Sequence, residues 1–257
     1  MLYDVLGLFR EHLKTSYSLE TAKTYSNRLE HLLQGQNLNF KAESMDISKV
    51  MDNLAEIKYK NHFSQSKNAF ILFCTFVGVP LNDDLLKQIK SMEISTKKKY
   101  RKMKPMDFYD IDSKIKALKN QKLKLSYQTM LATGLRVAEL TQITKADCLF
   151  SNDELYLFFI AKGGNPETVT LIKEEYPKLY EKLKVAIEAI KDNQKIFYSA
   201  IYLQMKAKEL GFTCHDLRRA YAKLEYKKHK SKNIVMKKLR HSSIKNTNIY
   251  LRSKIKI

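Results

Sequence analysis

Apolar positions recur at helical spacing along most of the chain. Ser18, a residue type that caps helix starts, precedes Ala22, Tyr25, Leu29 and Leu32–Leu33, with Gly35 past the end, which predicts one helix. Asp46 is suited to cap a short helix bearing Ile47, Val50, Met51 and Leu54. Ser64 or Ser66 is suited to start another, whose Phe70, Ile71, Phe73, Cys74 and Val77 form the richest apolar stripe of this half. Leu81 to Ile89 reads as one more. Four or five short helices over residues 1–95 describe a small helical bundle, and its aromatics read as core rather than as a stacking surface.

A second domain, 106–257, is expected to begin near Met106. Ser113–Lys119 and Ser126–Thr133 read as helices, Gly134 breaks the pattern, and Val137–Ile143 resumes it. The period then changes to that of strands over Leu155–Ile160 and Thr168–Ile172, with Gly163-Gly164-Asn165-Pro166 supplying the turn of a β-hairpin. From Glu174 onward the pattern is helical again. The fold class is therefore mainly α with a small β-hairpin or sheet: a helical bundle followed by an α+β domain.

Composition bears this out and adds a partner. The 257 residues include 44% hydrophobic positions, enough for a real core, while only 7 Gly and 4 Pro argue against an all-β sandwich. Cys74, Cys148 and Cys214 are odd in number and widely spaced, the usage of buried thiols in a reducing cytosol, with neither a disulfide framework nor a zinc site expected. No run approaches the ~18 to 20 apolar residues a membrane span needs. Met1–Lys14 mixes apolar residues with Asp4, Arg10, Glu11 and His12, unlike a signal peptide, so an intracellular, cytoplasmic protein is expected.

The net charge of +20 asks for an anionic partner: nucleic acid most economically, a membrane surface or an acidic protein otherwise. It is unevenly spread. Residues 1–95 hold 11 Lys+Arg and 11 Asp+Glu, whereas 96–124 hold 11 and 3, and 205–257 hold 16 and 3. The first basic stretch contains Lys97, Lys98, Lys99, Arg101, Lys102 and Lys104 before Pro105 and reads as a linker over 96–105. Taken alone it is equally a solvated tether; it becomes a DNA contact if both flanking domains grip one duplex.

Three stretches of the second domain carry candidate chemistry: Thr133-Gly134-Leu135-Arg136-Val137-Ala138-Glu139-Leu140, then His215-Asp216-Leu217-Arg218-Arg219, then Leu239-Arg240-His241 with Tyr250 nine residues after the histidine. Singly each has an ordinary alternative: a surface arginine at a helix start, a helix-start histidine, a packing tyrosine. In this order they resemble the tyrosine recombinase (phage integrase, Xer-like) family, over roughly 106–252 by motif and over 1–95 only by helical pattern.

That resemblance implies a site-specific DNA recombinase that works through a 3′-phosphotyrosyl intermediate, in integration, excision or dimer resolution. Arg136 and Arg218 would hold the scissile phosphate, Tyr250 would be the nucleophile, and His215 its base. Lys162 at the hairpin tip would protonate the leaving 5′-oxygen, and His241 would hydrogen-bond the phosphate. Glu139 would be a structural partner orienting an arginine. The chemistry suits these types: guanidiniums stay charged and donate in a planar fork to the extra negative charge of pentacovalent phosphorus, and a phenol, with a free pKa of ~10, needs a base. No cofactor and no metal is implied. The partners implied are double-stranded DNA with a specific site and a homotetramer on it, with no membrane. Arg219, Arg240 and Lys245 join the linker residues as expected DNA contacts.

Departures from the family pattern qualify this. Arg240 stands where the family commonly has Gly, which alters the turn and adds a phosphate contact. Glu167 stands where the second hairpin strand usually carries a basic residue, and Lys173 competes with Lys162 for the hairpin role. Leu251–Ile257 is expected to form only a helical stub, so assembly through a long swapped tail is not expected. A type IB-like topoisomerase, or a non-catalytic DNA-binding protein on the same fold, are the rival readings.

Overall fold

The computed structural model describes residues 2–36, 45–93, 106–253 and 255–257. The chain divides into two compact units, Met1–Arg101 and Lys102–Ile257, each with its own hydrophobic core. The basic run Lys97–Lys104 and the expected linker lie outside the described residues.

The first unit contains helices α1 (Leu2–Ser16), α2 (Leu19–Leu32), α3 (Ile47–Ala55), α4 (Lys60–Val77) and α5 (Asp83–Ser91). Their starts follow local chemistry: the Ser18, Asp46 and Asn82 side chains accept from the backbone N–H groups of Thr21, Lys49 and Leu85. Phe9 of α1 meets Phe73 of α4 edge-on at 5.3 Å between centroids, and with Phe70 both are fully buried, so these aromatics are core. The five helices agree with the expected four or five, α1 over residues 2–16 adding to the four placed by apolar spacing. One start needs correcting: α4 begins at Lys60, without a side-chain cap, so that Ser66 is a buried residue within the helix rather than its start.

The second unit opens with β1 (Met106–Asp107), α6 (Phe108–Lys116), α7 (Gln121–Thr133) and the single-turn α8 (Val137–Leu140). A 3₁₀ turn at Lys145–Asp147 leads into three antiparallel strands, β2 (Cys148–Ser151), β3 (Glu154–Ile160) and β4 (Pro166–Ile172), paired in that order. Leu155, Leu157 and Phe159 of β3 and Val169 and Leu171 of β4 face the core; Phe158 and Ile160 face out, the alternation of a half-covered sheet. The expected hairpin is present, but β2 extends it. Asn152 and Asp153, both at positive φ, form the two-residue turn between β2 and β3.

Helices α9 (Pro177–Glu188), α10 (Ala200–Glu209), α11 (Cys214–His229), α12 (Lys232–Lys238) and α13 (Ile244–Leu251) follow, then β5 (Ile255–Lys256). The stretch after Leu251 is not a helical stub: β5 pairs in parallel with β1. Lys223 Nζ on α11 secures it, donating at 2.6 Å to the carbonyls of both Ser253 and Ile255. Among the described residues no helix is long and apolar enough to cross a membrane.

Candidate active site

The site is built from the ends of helices. Gly134 terminates α7 in the left-handed conformation, φ +63, and a Cβ there would lie 2.6 Å from Tyr221 Cε1. Only glycine meets both demands. The turn it makes delivers Arg136 to the N-cap of α8, where Glu139 reaches back: its Oε2 accepts from the Arg136 backbone N–H at 2.8 Å and its Oε1 from Arg136 Nη1 at 2.5 Å. A second cap fixes α11. The Asp216 carboxylate accepts from the Thr213 N–H and hydroxyl and, on its other oxygen, from Arg219 Nη1 at 2.7 Å. This presents His215 and Arg218 from the first turns of the helix.

Arg218 is fully buried, 0% exposed. Its two terminal nitrogens donate to the carbonyls of Gly134 and Leu239, tying the α7 end to the α12 end, and its Nη1 lies 3.8 Å from Glu139. Burial, then the charge of Arg136, pushes its guanidinium down to about 10. Glu139 is 2% exposed and faces a third guanidinium, Arg240 Nη2 at 3.5 Å. Burial alone would raise its carboxyl, but the Arg136 N–H and guanidinium, with the charge of Arg240, outweigh it and hold the carboxyl below its ordinary value.

The two histidines are held neutral. Burial first, then Arg218 and Arg136, pushes His241 down to about 4, while its Nδ1 pairs with the buried Thr247 hydroxyl at 3.0 Å. Burial, then Arg219 and Arg218, lowers His215 as well. Tyr250 of α13 stands between them, its hydroxyl 3.5 Å from His215 Nδ1 and its ring edge-on to His241 at 4.9 Å between centroids. Arg218 Cζ is 6.0 Å from the same ring. The phenol thus packs as an aromatic and still directs its oxygen at a neutral imidazole, which can take its proton.

Beside this cluster a cleft of about 410 Å³ is lined by Arg136, Val137, Ala138, Gln204, Lys208, Thr213, Cys214, His215 and Arg218. Converging cations and a proton acceptor at its wall suit an anion such as a phosphate. Among the described residues no group of His, Cys, Asp or Glu is arranged to hold a metal.

Five of the sequence candidates, Arg136, His215, Arg218, His241 and Tyr250, therefore converge, with Glu139 among them. Lys162 stands apart, exposed in the turn between β3 and β4 and outside the hydrogen-bond network of the cluster. Its rival Lys173 is committed to Asp153 at 3.2 Å and Glu181 at 3.0 Å. Arg219 is engaged with Asp216, Arg240 is turned inward, and Lys245 is exposed on the first turn of α13. Thr247, Tyr221, Gln204 and Lys208 contribute to the site but carried no motif; a threonine six residues after a histidine becomes a signal only once the helix start at Ser243 is known.

Known proteins are similar to this chain in sequence and in fold. A 144-residue stretch is 31% identical to Tyrosine recombinase XerH of Campylobacter jejuni, over 49% of this chain and 40% of that protein. A 157-residue stretch is 29% identical to Tyrosine recombinase XerA of Saccharolobus solfataricus, over 58% of this chain and 52% of that protein. The match thus spans about half the length of these curated relatives or less. The fold is similar to that of a lambda integrase dimer bound to a COC′ core site, with a TM-score of 0.61 at 17% identity over 99% of this chain and 98% of that one. The model of the phage integrase family matches residues 104–256, the stretch that holds every converging side chain, and the chain belongs to that family of tyrosine recombinases.

Proposed function

We propose that the protein is a site-specific DNA recombinase that cleaves and rejoins duplex DNA through a 3′-phosphotyrosyl intermediate. The observation that carries this reading is the Tyr250 hydroxyl directed at a neutral His215 beside the paired guanidiniums of Arg136 and Arg218. Tyr250 attacks the scissile phosphorus in line, its proton passes to His215, and the bond from phosphorus to the 5′-oxygen breaks as Lys162 supplies that oxygen with a proton. The 3.5 Å separation is long, as catalytic hydrogen bonds commonly are before substrate binds. Arg136 and Arg218, with His241, stabilise the charge that grows on the non-bridging oxygens. The phosphotyrosyl bond conserves the energy of the broken diester, so rejoining by the freed hydroxyl needs no nucleotide cofactor.

On this reading the second unit is the catalytic domain, the first a core-binding domain, and the basic residues between them DNA contacts. The working assembly is a homotetramer exchanging two pairs of strands on a specific site. Binding weakens steeply with salt, because lysine and arginine contacts release condensed counterions. The test is a suicide substrate nicked beside the cleavage point: the wild-type protein forms a covalent adduct stable to SDS and Tyr250→Phe forms none. An adduct that survives Tyr250→Phe rejects Tyr250 as nucleophile, and relaxation of any supercoiled plasmid regardless of sequence favours a topoisomerase.

A further inference from the structure

Arg240 departs from the family pattern in a way that costs conformational energy. It is a non-glycine residue at φ +53, in the turn from α12 to α13 where glycine would be unstrained. A side chain kept there against that penalty is a reason to look for its use. The side chain does not extend towards solvent. It is 10% exposed, lies with Cζ 5.1 Å from the centroid of the Phe159 ring, and brings Nη2 to 3.5 Å from Glu139. Nη1 donates to the Lys238 carbonyl at 3.1 Å, while Nε and Nη2 are buried without a hydrogen-bond partner. A buried guanidinium with idle donors is costly unless its charge is used.

We propose that Arg240 is a third cation of the phosphate site, a positioning residue that acts through Glu139 to match the site to the doubly negative pentacovalent phosphorus; this rests on the recombinase reading above. Three guanidiniums share the Glu139 carboxylate, and both histidines are neutral, so these four groups by themselves carry two positive charges in excess. A phosphodiester brings one negative charge and its pentacovalent state two. The proton that Tyr250 gives up stays in the site on His215, so the net charge is unchanged, but negative charge grows on the non-bridging oxygens. A two-charge excess on the guanidiniums matches that state better than the singly charged ground state, which is where added binding accelerates the reaction. Without Arg240, Glu139 would cancel one of the two remaining guanidiniums. With it, the carboxylate is shared, and Arg136 and Arg218 keep more of their charge for the phosphate.

The experiment is a series at this position in the full-length protein, Arg240→Gly, Arg240→Met and Arg240→Lys, on the nicked suicide substrate. Single-turnover adduct formation at saturating DNA is measured beside the Kd for the uncleaved site and the melting temperature. Arg240→Gly relieves the backbone strain and so should melt close to the wild type, yet form adduct about 10- to 100-fold more slowly. Arg240→Lys should recover much of the rate and Arg240→Met little, with Kd nearly constant throughout. A methionine variant as fast as the lysine variant would show that Arg240 only fills space, and a glycine variant at wild-type rate would show that its charge is unused; either overturns the proposal. Wild-type protein that forms no adduct overturns the recombinase reading itself.

Discussion

The hydroxyl of Tyr250 on α13 lies 3.5 Å from Nδ1 of His215 on α11, thirty-five residues earlier in the chain. Each group comes from a different helix, and each has its own support: His215 sits in the capped first turn of α11, and the Tyr250 ring packs edge-on against His241.

This pair sets a pH dependence. His215 is held below the value of a free imidazole, so it remains a proton acceptor at pH values where an exposed histidine is half protonated. Adduct formation should fall only as pH drops through that lowered value, with an acid limb below ~6.5. His215→Gln should be slow at every pH and lose that limb. A wild-type limb centred at or above the free-histidine value would remove His215 as the base. Stability follows the same sign for His241, pushed down to about 4: the unfolded chain binds the proton more readily, so stability is full above ~6.5 and is lost as pH falls towards 4. His241→Asn should flatten part of that slope in urea titrations.

Lys162 is exposed at the hairpin tip and shares no hydrogen bond with the arginine cluster, so its contribution should be separable from theirs. Lys162→Ala should slow cleavage of an ordinary diester by about 100-fold or more if it is the acid. A substrate whose bridging 5′-oxygen is replaced by sulfur has a leaving group that needs no proton, and on it the variant should approach the wild type. Equal losses on both substrates would leave Lys162 as a DNA contact.

Glu139 is the one carboxylate among three guanidiniums. Glu139→Gln leaves them to repel one another in a buried space and should destabilise the protein by about 3 kcal/mol or more. The loss should shrink when Arg240→Gly is added, because one of the mutually repelling cations is gone; chemical denaturation of the double variant measures that coupling.

Gly134→Ala places a methyl group against the Tyr221 ring at positive φ. The cost should be about 2 kcal/mol or more. Because the Gly134 carbonyl also accepts from Arg218, adduct formation should suffer beyond what the fold loses. Tyr221→Ala should relieve the clash but not the φ penalty, restoring stability in part.

The helical character and the hairpin are legible from local signatures, apolar spacing and the Gly-Gly-Asn turn, whereas the five converging residues are legible only through the ordered set of motifs that resembles the tyrosine recombinase family, since each motif alone has an ordinary alternative. What escaped was non-local or short. Strand β2 has four residues and turns through Asn152-Asp153, without the glycine that advertises such a turn. Helix α1 was hidden by the charges among its apolar positions. The start of α4 at Lys60 has no side-chain cap to announce it. The inward course of Arg240 depends on Glu139 and Phe159, which lie about a hundred and about eighty residues away in sequence, so no spacing rule could reveal it.

The two hydrogen bonds from Lys223 to the chain behind Tyr250 have a mechanical meaning. Helix α11 carries His215 and Arg218 at one end and, through Lys223, a grip on the segment that trails the nucleophile. Base, guanidinium and phenol are thereby linked to one lever. The segment behind the nucleophile is thus fastened to the same helix that presents the base and one of the arginines.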